Sequence, residues 1–410
     1  MESPTRSSRP LSRTRNSRVH RPAKSPILSA MIRKAARCLE ILVAVLAVAA
    51  PAFVLADDGA ASIAAGGLVP RRETRIVMAK EVLKISTKKV EVDYDFRNDS
   101  DQDVSTEVAF PVPPYSTGFP QRDPSDESFA DFRLWVDGKP VRYEMEAKAF
   151  LKGKDVTERL RSLQIDIPTL GHFVDNDQLQ AVTQDFVKLP KAAQKQLIHD
   201  GLFEDQGDGS GTMTFAFWKA VVQFHWTQTF PAHSTVHIRH EYAPVVGDDP
   251  LSLLLVASTL DPAKVQKQGM LNDNIKHQLK EGLLTNFCTE PTFLRTIQRD
   301  LLAAYPPTRP DDLAETGGIE FRYEWVDFIL TTANTWQQPI EDFTLIVERP
   351  QPDSSWRNLV SFCSPKNGKV EKLDADHFQV HLTNFIPTAE LHIGFFEVPT
   401  ARRAQPAARK

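Results

Sequence analysis

The chain has 410 residues, of which 41% are hydrophobic and 9% aromatic, so it is long enough to bury a core without a dense set of disulfides. Its formal net charge is −4, but residues 1–56 hold ten basic and two acidic side chains, which leaves 39 basic and 51 acidic side chains, a net charge of −12, in the remainder. A chain this acidic is poorly suited to phosphate backbones, which excludes a nucleic-acid partner.

The N-terminal residues divide into three pieces. Residues 1–30 are rich in Arg, Ser and Pro, which indicates disordered chain or a start assigned upstream of the true start at Met31. From Met31 a short basic region leads into an apolar stretch over residues 39–50, with small residues before Ala56. This pattern predicts a signal peptide over residues 31–56 with cleavage after Ala56; a membrane anchor is the alternative. Cleavage predicts a periplasmic or secreted chain with no stable membrane span.

Residues 57–147 are predicted to form a first β section. Residues 89–96 alternate apolar and polar side chains, and residues 104–112 return as a second strand, which together predict an antiparallel pair. Residues 132–136 and 141–145 predict a hairpin around a tight turn. Short strands at such regular spacing are typical of a β-sandwich.

The rest of the chain alternates between helical and strand patterns. In the second helical section Pro291 is predicted to begin a helix, with Phe293, Ile297 and Leu301 forming its buried stripe. The predicted sections are a helical insertion (148–210), a β-hairpin with strands over 221–230 and 235–242 (211–247), a helical section (248–312), a β section (313–398) and a disordered tail (399–410). The predicted fold class is therefore mainly β, β-sandwich-like, with helical insertions, and α+β overall.

Several segments carry a resemblance to a known family. They are ASIAAGGLV (61–69), YDFRN (94–98) leading to VAFP (108–111), WTQTFP (226–231), HEYAPVVG (240–247), LTTAN (330–334) with Trp336, Pro339 and Ile340, and SFC (361–363). In order and spacing they resemble the bacterial exported family called domain of unknown function DUF4424. The resemblance implies an export signal and one domain over residues 57–398, and it brings no known activity. Residues 90–148 are also similar to the β-sandwich modules called VIT domains, which supports a sandwich.

Two cysteines remain after the predicted cleavage, because Cys38 lies within the signal peptide. In an oxidising compartment the even pair Cys288 and Cys363 favours a disulfide between a helical segment and a late strand. Two buried free thiols are the alternative.

A group of histidines near residue 240 raises the question of a metal site. His225, His233, His237 and His240 lie within one short stretch of sequence. Because side chains alternate across a strand, His237 and His240 point to opposite faces and do not share an ion without a bulge. We therefore predict no metal and no cofactor, with His233, His237 and His240 as the candidate ligands if a metal is bound.

The loop between two late strands is the predicted recognition surface. Asn334, Trp336, Gln337 and Gln338 supply amide and indole groups there. The alternative interpretation is that Trp336 fills the edge of the core.

The sequence contains no Gly-x-Ser-x-Gly, His-Glu-x-x-His or phosphate-binding glycine motif. The leading hypothesis is an exported, non-enzymatic binding or structural protein of the cell envelope, whose partner is a protein, a peptide or a glycan. The alternatives are a hydrolase of envelope material and a metal-binding protein that uses residues 225–240.

Overall fold

Three large β-sheets, a two-stranded hairpin and a layer of helices make up the described part of the fold in a computed structural model of the protein. The structure describes residues 59–64, 67–116, 131–168, 181–205, 214–351 and 356–399, all within the structural unit Val54–Lys410. The predicted signal peptide, its cleavage point after Ala56, residues 1–30 and residues 400–410 of the predicted tail lie outside the described residues.

The first sheet has seven strands, and every neighbouring pair is antiparallel. Its order is β10-β9-β13-β5-β1-β2, with β6 beside the start of β13. Strands are numbered in chain order, and those of this sheet are β1 (Gly59–Ala64), β2 (Gly67–Pro70), β5 (Val104–Pro111), β6 (Tyr115–Ser116), β9 (Glu144–Leu151), β10 (Lys154–Asp155) and β13 (Lys219–Phe230).

The second sheet has eight strands in the order β19-β20-β17-β3-β4-β14-β7-β8, and only the pair β17 and β3 is parallel among its described strands. Its strands are β3 (Ile76–Ile85), β4 (Val90–Asn98), β7 (Arg133–Val136), β8 (Lys139–Pro140), β14 (Ser234–Tyr242), β17 (Ile340–Glu348), β19 (Val370–Lys372) and β20 (His377–Phe385). In β4 the apolar side chains are buried and the acidic ones between them are not, so the alternation places one face of the strand in the core.

The third sheet has four antiparallel strands in the order β15-β16-β21-β18. They are β15 (Val246–Ser252), β16 (Glu320–Phe328), β18 (Trp356–Phe362) and β21 (Leu391–Pro399). Five helices pack on this sheet and are called the helical layer below: α4 (Leu253–Leu260), α5 (Pro262–Lys267), α6 (Asp273–Glu281), α7 (Pro291–Ala304) and α8 (Leu313–Thr316). No helix among the described residues is long and apolar enough to cross a membrane.

The remaining elements are short. They are α1 (Thr157–Ser162), α2 (Ala181–Lys188), α3 (Lys191–His199), the hairpin of β11 (Phe203–Asp205) and β12 (Thr214–Ala216), and single 3-10 turns at Thr285–Phe287, Thr331–Thr335 and Pro365–Asn367.

Local sequence explains where the helices of the helical layer begin and end. The side chains of Ser252, Asp261 and Asn272 each accept a hydrogen bond from a backbone N–H in the first turn of the helix that follows. Pro291 begins α7, as predicted from its missing N–H. Gly282 follows α6 in the left-handed conformation that favours glycine.

The buried side chains form two cores. The first and second sheets share the sandwich core, which also includes Phe328 and Ile393 from one face of the third sheet. Tyr323 and Phe396, from the opposite face of the third sheet, pack against the helical layer. The predicted fold class, mainly β with helical insertions, is confirmed.

The strands of the two predicted pairs form as predicted, but they do not pair with each other as predicted. β4 and β5 lie in different sheets, and so do β13 and β14. Each connection crosses from one sheet to the other, and Asn98 joins the two crossings because its Nδ2 atom donates to the carbonyls of Gln102 and Phe230. Alternation shows which face of a strand is buried, and it does not identify the neighbouring strand.

The predicted hairpin over residues 132–145 is correct only at its turn. Asp137 and Gly138 have positive φ and join β7 to the two-residue strand β8. Residues 144–151 instead form β9, which pairs with β13 in the first sheet. Strand structure therefore continues to Asp155, past the predicted start of the helical insertion at residue 148.

Candidate functional site

A pocket of about 200 Å³ lies where the three sheets meet. We call it the junction pocket. Its walls come from the end of β5 and the chain that follows it, the start of β13, the connection from β14 to β15, and β16. The lining residues are residues 112–116, Lys219, Tyr242, Pro244, Val245, Gly247, Trp325 and Asp327.

One wall is a proline-containing segment that is held in place at both ends. Pro113 and Pro114 follow β5, where proline is unable to continue a hydrogen-bonded ladder. Before them, the Val112 N–H donates to the Val222 carbonyl at 2.8 Å. After them, the Tyr115 hydroxyl donates to the Pro168 carbonyl at 2.6 Å. These two bonds fix the wall against the rest of the chain.

A second wall depends on a glycine. Gly247 and Trp325 are direct partners across β15 and β16. A Cβ atom at Gly247 would lie 1.9 Å from an indole carbon, so the ring of Trp325 lies across the glycine backbone. Trp325 also stacks on Tyr323, with ring centroids 5.1 Å apart. Only glycine at position 247 permits this position of the indole.

Tyr242 is the buried polar residue of the junction pocket. Its side chain is 2% exposed, and its hydroxyl has no hydrogen-bond partner among the described residues. Burial raises the pKa of Tyr242, so the phenol stays protonated. A buried hydroxyl without a partner costs about 1–3 kcal/mol.

The charges of the junction pocket are unequally paired. His392 Nδ1 donates to Asp327 Oδ1 at 2.7 Å, and this hydrogen bond raises the pKa of His392 against the opposing effect of burial. Lys219 is exposed at the rim, beside Ser116, and forms no ion pair with any residue that the structure describes. The carboxylate of the pocket therefore has a partner, and the ammonium group does not.

The predicted recognition loop lies elsewhere. Trp336 is 1% exposed and packs against Phe96, with ring centroids 4.7 Å apart, as in the alternative interpretation of a core residue. Asn334 is exposed and donates to the Pro387 carbonyl. Gln337 and Gln338 are exposed, and Gln338 donates to Glu341. None of these four residues lines the junction pocket.

The candidate metal ligands do not converge. His240 is fully buried, with its ring centroid 4.3 Å from that of Phe110. His237 points to the outer face, 3.0 Å from Asp95, and His233 lies 2.9 Å from Asp101. His225 pairs with Glu107 at 2.6 Å on the first sheet. No group of three or more metal-binding side chains occurs in the described part of the chain.

Cys288 and Cys363 form a disulfide, with Cα atoms 4.9 Å apart. Cys288 follows the 3-10 turn Thr285–Phe287, and Cys363 follows β18. The bond therefore attaches the helical layer to an edge strand of the third sheet.

No pattern in the sequence predicts that the residues of the junction pocket come together in the fold. The segment HEYAPVVG supplies Tyr242, Pro244, Val245 and Gly247, and the prolines after β5 supply another wall. Such a tyrosine, followed by proline and glycine at the exit from a strand, is the signal that was available. Trp325 and Lys219 lie far from it along the chain, and only the sheet topology brings them together.

Comparison with known proteins identifies a family and similar solved structures. The model of the family described as domain of unknown function DUF4424 matches residues 56–393, which confirms the resemblance found in the sequence. The chain is also similar to the crystal structure of a "putative nutrient binding protein" from Legionella pneumophila, at 15% identity and a TM-score of 0.32, over 80% of this chain and 69% of that chain. No curated protein matches the chain.

Proposed function

The chain belongs to the DUF4424 family, and from that starting point we propose that it is an exported, non-enzymatic protein that binds a small ligand in the junction pocket. The observation that carries this proposal is the pocket itself, which is walled by aromatic and proline side chains and includes the buried Tyr242, whose hydroxyl has no partner among the described residues. Ligand sites combine apolar walls with a few placed polar groups in this way.

The protonation states in the junction pocket favour binding over hydrolysis. Burial raises the pKa of Tyr242, and burial together with the charge of Asp166 raises the pKa of Tyr115. Both phenols therefore remain protonated at neutral pH and are poor general bases. Asp327 is already hydrogen-bonded to His392. These groups suit recognition of a ligand better than proton abstraction.

Two features support export to the periplasm or the medium. Residues 31–56 have the order of charges, apolar residues and small residues that signal peptides have. The disulfide between Cys288 and Cys363 suits an oxidising compartment.

Export is tested by expressing the full chain in a bacterium with two membranes, fractionating the cells and measuring the mass of the product. We expect a periplasmic or secreted protein that begins at Asp57 and has both cysteines oxidised. An uncleaved, reduced chain in the cytoplasm would contradict export.

The role of Tyr242 is tested by thermal and denaturant unfolding of the Tyr242→Phe variant. Because the hydroxyl has no partner, we expect its removal to raise the free energy of unfolding of the ligand-free protein by about 0.5–1 kcal/mol. Tyr143→Phe is the matched control, since its partly buried hydroxyl donates to the Phe132 carbonyl at 2.6 Å, and its removal should lower stability by about 1 kcal/mol. If both variants lost the same free energy of unfolding, the Tyr242 hydroxyl would be donating a stabilising hydrogen bond within the protein.

Binding itself is tested by adding glycans, peptides, small ring compounds and divalent ions to the wild type and to Tyr242→Phe. A ligand of the native state raises the unfolding midpoint. We expect at least one class of compound to shift the wild type more than the variant. Equal shifts in both proteins, or none, would contradict a site at the junction pocket.

A further inference from the structure

The size of the junction pocket limits what it holds. Its volume is about 200 Å³. Pockets for drug-sized ligands span about 300–1,000 Å³, whereas an engineered cavity of about 150 Å³ accommodates benzene. The junction pocket therefore matches one six-membered ring with one or two small substituents.

The shape of the walls also favours a ring. Trp325 is half-buried, and its indole is held flat over the Gly247 backbone. Tyr115 and two adjacent prolines also line the pocket. Flat aromatic and proline surfaces pack well on the faces of a planar or chair-shaped ring.

The charged side chains at the rim of the junction pocket favour an anionic substituent on the ligand. Lys219 is exposed there and has no ion-pair partner among the described residues. Asp327 lies 2.7 Å from His392, and when the imidazole is protonated the pair is neutral overall and adds no net negative charge to oppose an anion. A carboxylate on the ligand would give Lys219 a charge-assisted hydrogen bond.

The buried end of the junction pocket favours a second, polar substituent on the ligand. The Tyr242 hydroxyl lies in the interior, and Lys219 is solvent-exposed, so a ligand that reaches both runs from the rim inward. A hydroxyl group on the ring satisfies the phenol as donor or acceptor.

We propose that the junction pocket binds a small ring carboxylate that bears a hydroxyl group, with the carboxylate at Lys219 and the hydroxyl at Tyr242. This inference rests on the proposed function and names the chemistry of its ligand. Hydroxybenzoates and hexuronic acids share that chemistry, and the experiment separates them.

The experiment is titration calorimetry of the purified full chain with five probes: 4-hydroxybenzoate, 4-hydroxybenzamide, benzoate, glucuronate and glucose. We expect one of the two hydroxylated carboxylates to bind at least about fivefold more tightly than its neutral analogue, because a charge-assisted hydrogen bond exceeds a neutral one. Preference for 4-hydroxybenzoate identifies an aromatic ligand, and preference for glucuronate identifies a sugar acid.

Two variants assign the contacts. Lys219→Met should abolish the preference for the carboxylate over the neutral analogue, whereas Lys154→Met, an exposed lysine on β10 outside the pocket lining, should retain it. Tyr242→Phe should abolish the preference for the hydroxylated ring over benzoate if the ligand is aromatic, and should weaken glucuronate by a similar factor if it is a sugar acid.

The failures are distinguishable. If neutral probes bind as tightly as carboxylates, or if Lys219→Met changes nothing, the ligand chemistry inferred here is wrong and the proposed binding site stands. If none of the five probes binds while another class of compound gives a shift that depends on Tyr242, the same conclusion follows. If no compound of any class gives such a shift, the proposed function fails as well.

Discussion

The sandwich and the helical layer differ in what holds them together. The sandwich is built on long strands, such as the 12-residue β13 and the 9-residue β4, and on stacked aromatic rings, with Phe132 and Phe224 centroids 4.2 Å apart. The helical layer consists of helices of 4–14 residues, and a disulfide attaches it to β18.

This difference indicates where stability is concentrated. Helices shorter than about 12–15 residues are marginal alone and depend on packing. Long paired strands over an aromatic core have many contacts that must be lost together. We therefore expect the helical layer to unfold first and the sandwich last. The junction pocket then has one wall in the more stable region and one in the less stable region.

The largest effect is expected in the sandwich, from Trp336→Ala. The side chain is fully buried against Phe96 and Phe230, so its truncation leaves a cavity and should lower the free energy of unfolding by about 3–5 kcal/mol. Denaturant unfolding measures this loss. Gln337→Ala, one residue along and exposed, is the control and should change stability by less than about 0.5 kcal/mol. If Trp336→Ala lowered the free energy of unfolding only slightly but abolished ligand binding, Trp336 would be a recognition residue and not a core residue.

The next effect separates the two regions directly. Replacing both Cys288 and Cys363 by serine opens a link across a sequence separation of 75 residues, and we expect a loss of about 2–4 kcal/mol. Hydrogen exchange should accelerate in α4 to α7 and in β18, and remain slow in β4 and β13. A reducing agent should affect the wild type in the same way and leave the variant unchanged. Uniform acceleration through both regions would show that they unfold as one unit.

A smaller effect is expected at the boundary, from Gly247→Ala. The added methyl group occupies the space of the Trp325 indole, which must move, and overpacking of this kind costs about 1–3 kcal/mol. Gly318→Ala is the matched control, because a Cβ atom there has no heavy atom within 4 Å. We expect only Gly247→Ala to lower the unfolding midpoint and to weaken ligand binding. Equal effects of the two substitutions would mean that backbone freedom, and not the indole, explains the glycine.

The sequence located many of the elements but did not identify their partners. Alternation in residues 89–96 correctly placed β4 with one buried face, and Pro291 correctly marked the start of α7. The pairing of β4 with β14 instead of β5 depends on a crossing between sheets, which no local pattern encodes.

The same limit applies to the site. Tyr242 and Gly247 lie in one short segment, but their partners Lys219 and Trp325 come from separate strands and meet only in the folded chain. Trp336 shows the same limit, since a tryptophan between two strands suits a surface loop and a core edge equally well by sequence.

The smallest effect concerns pH and the third sheet alone. Hydrogen bonding to Asp327 raises the pKa of His392 above its ordinary value near 6.5. A histidine whose pKa is raised by folding stabilises the folded state below its unfolded pKa, and this contribution is lost as the pH rises through the folded pKa. The side chains of His392 and Asp327 are 46% and 37% exposed, so solvent screening limits the contribution to about 0.5 kcal/mol.

We therefore expect the wild type to be more stable than His392→Gln at a pH below about 6.5, and the difference to be lost as the pH rises through the folded pKa of His392, as measured by denaturant unfolding at each pH. In the Asp327→Asn background the stability difference caused by His392→Gln should depend much less on pH, because the negative charge that stabilises the protonated imidazole is gone. A difference that grows with pH would reverse the sign and show that His392 is held neutral in the folded state. Asp327 lines the junction pocket, so deprotonation of His392 leaves the negative charge of the Asp327 carboxylate without a positive partner there. An anionic ligand should therefore bind more weakly as the pH rises over the same range.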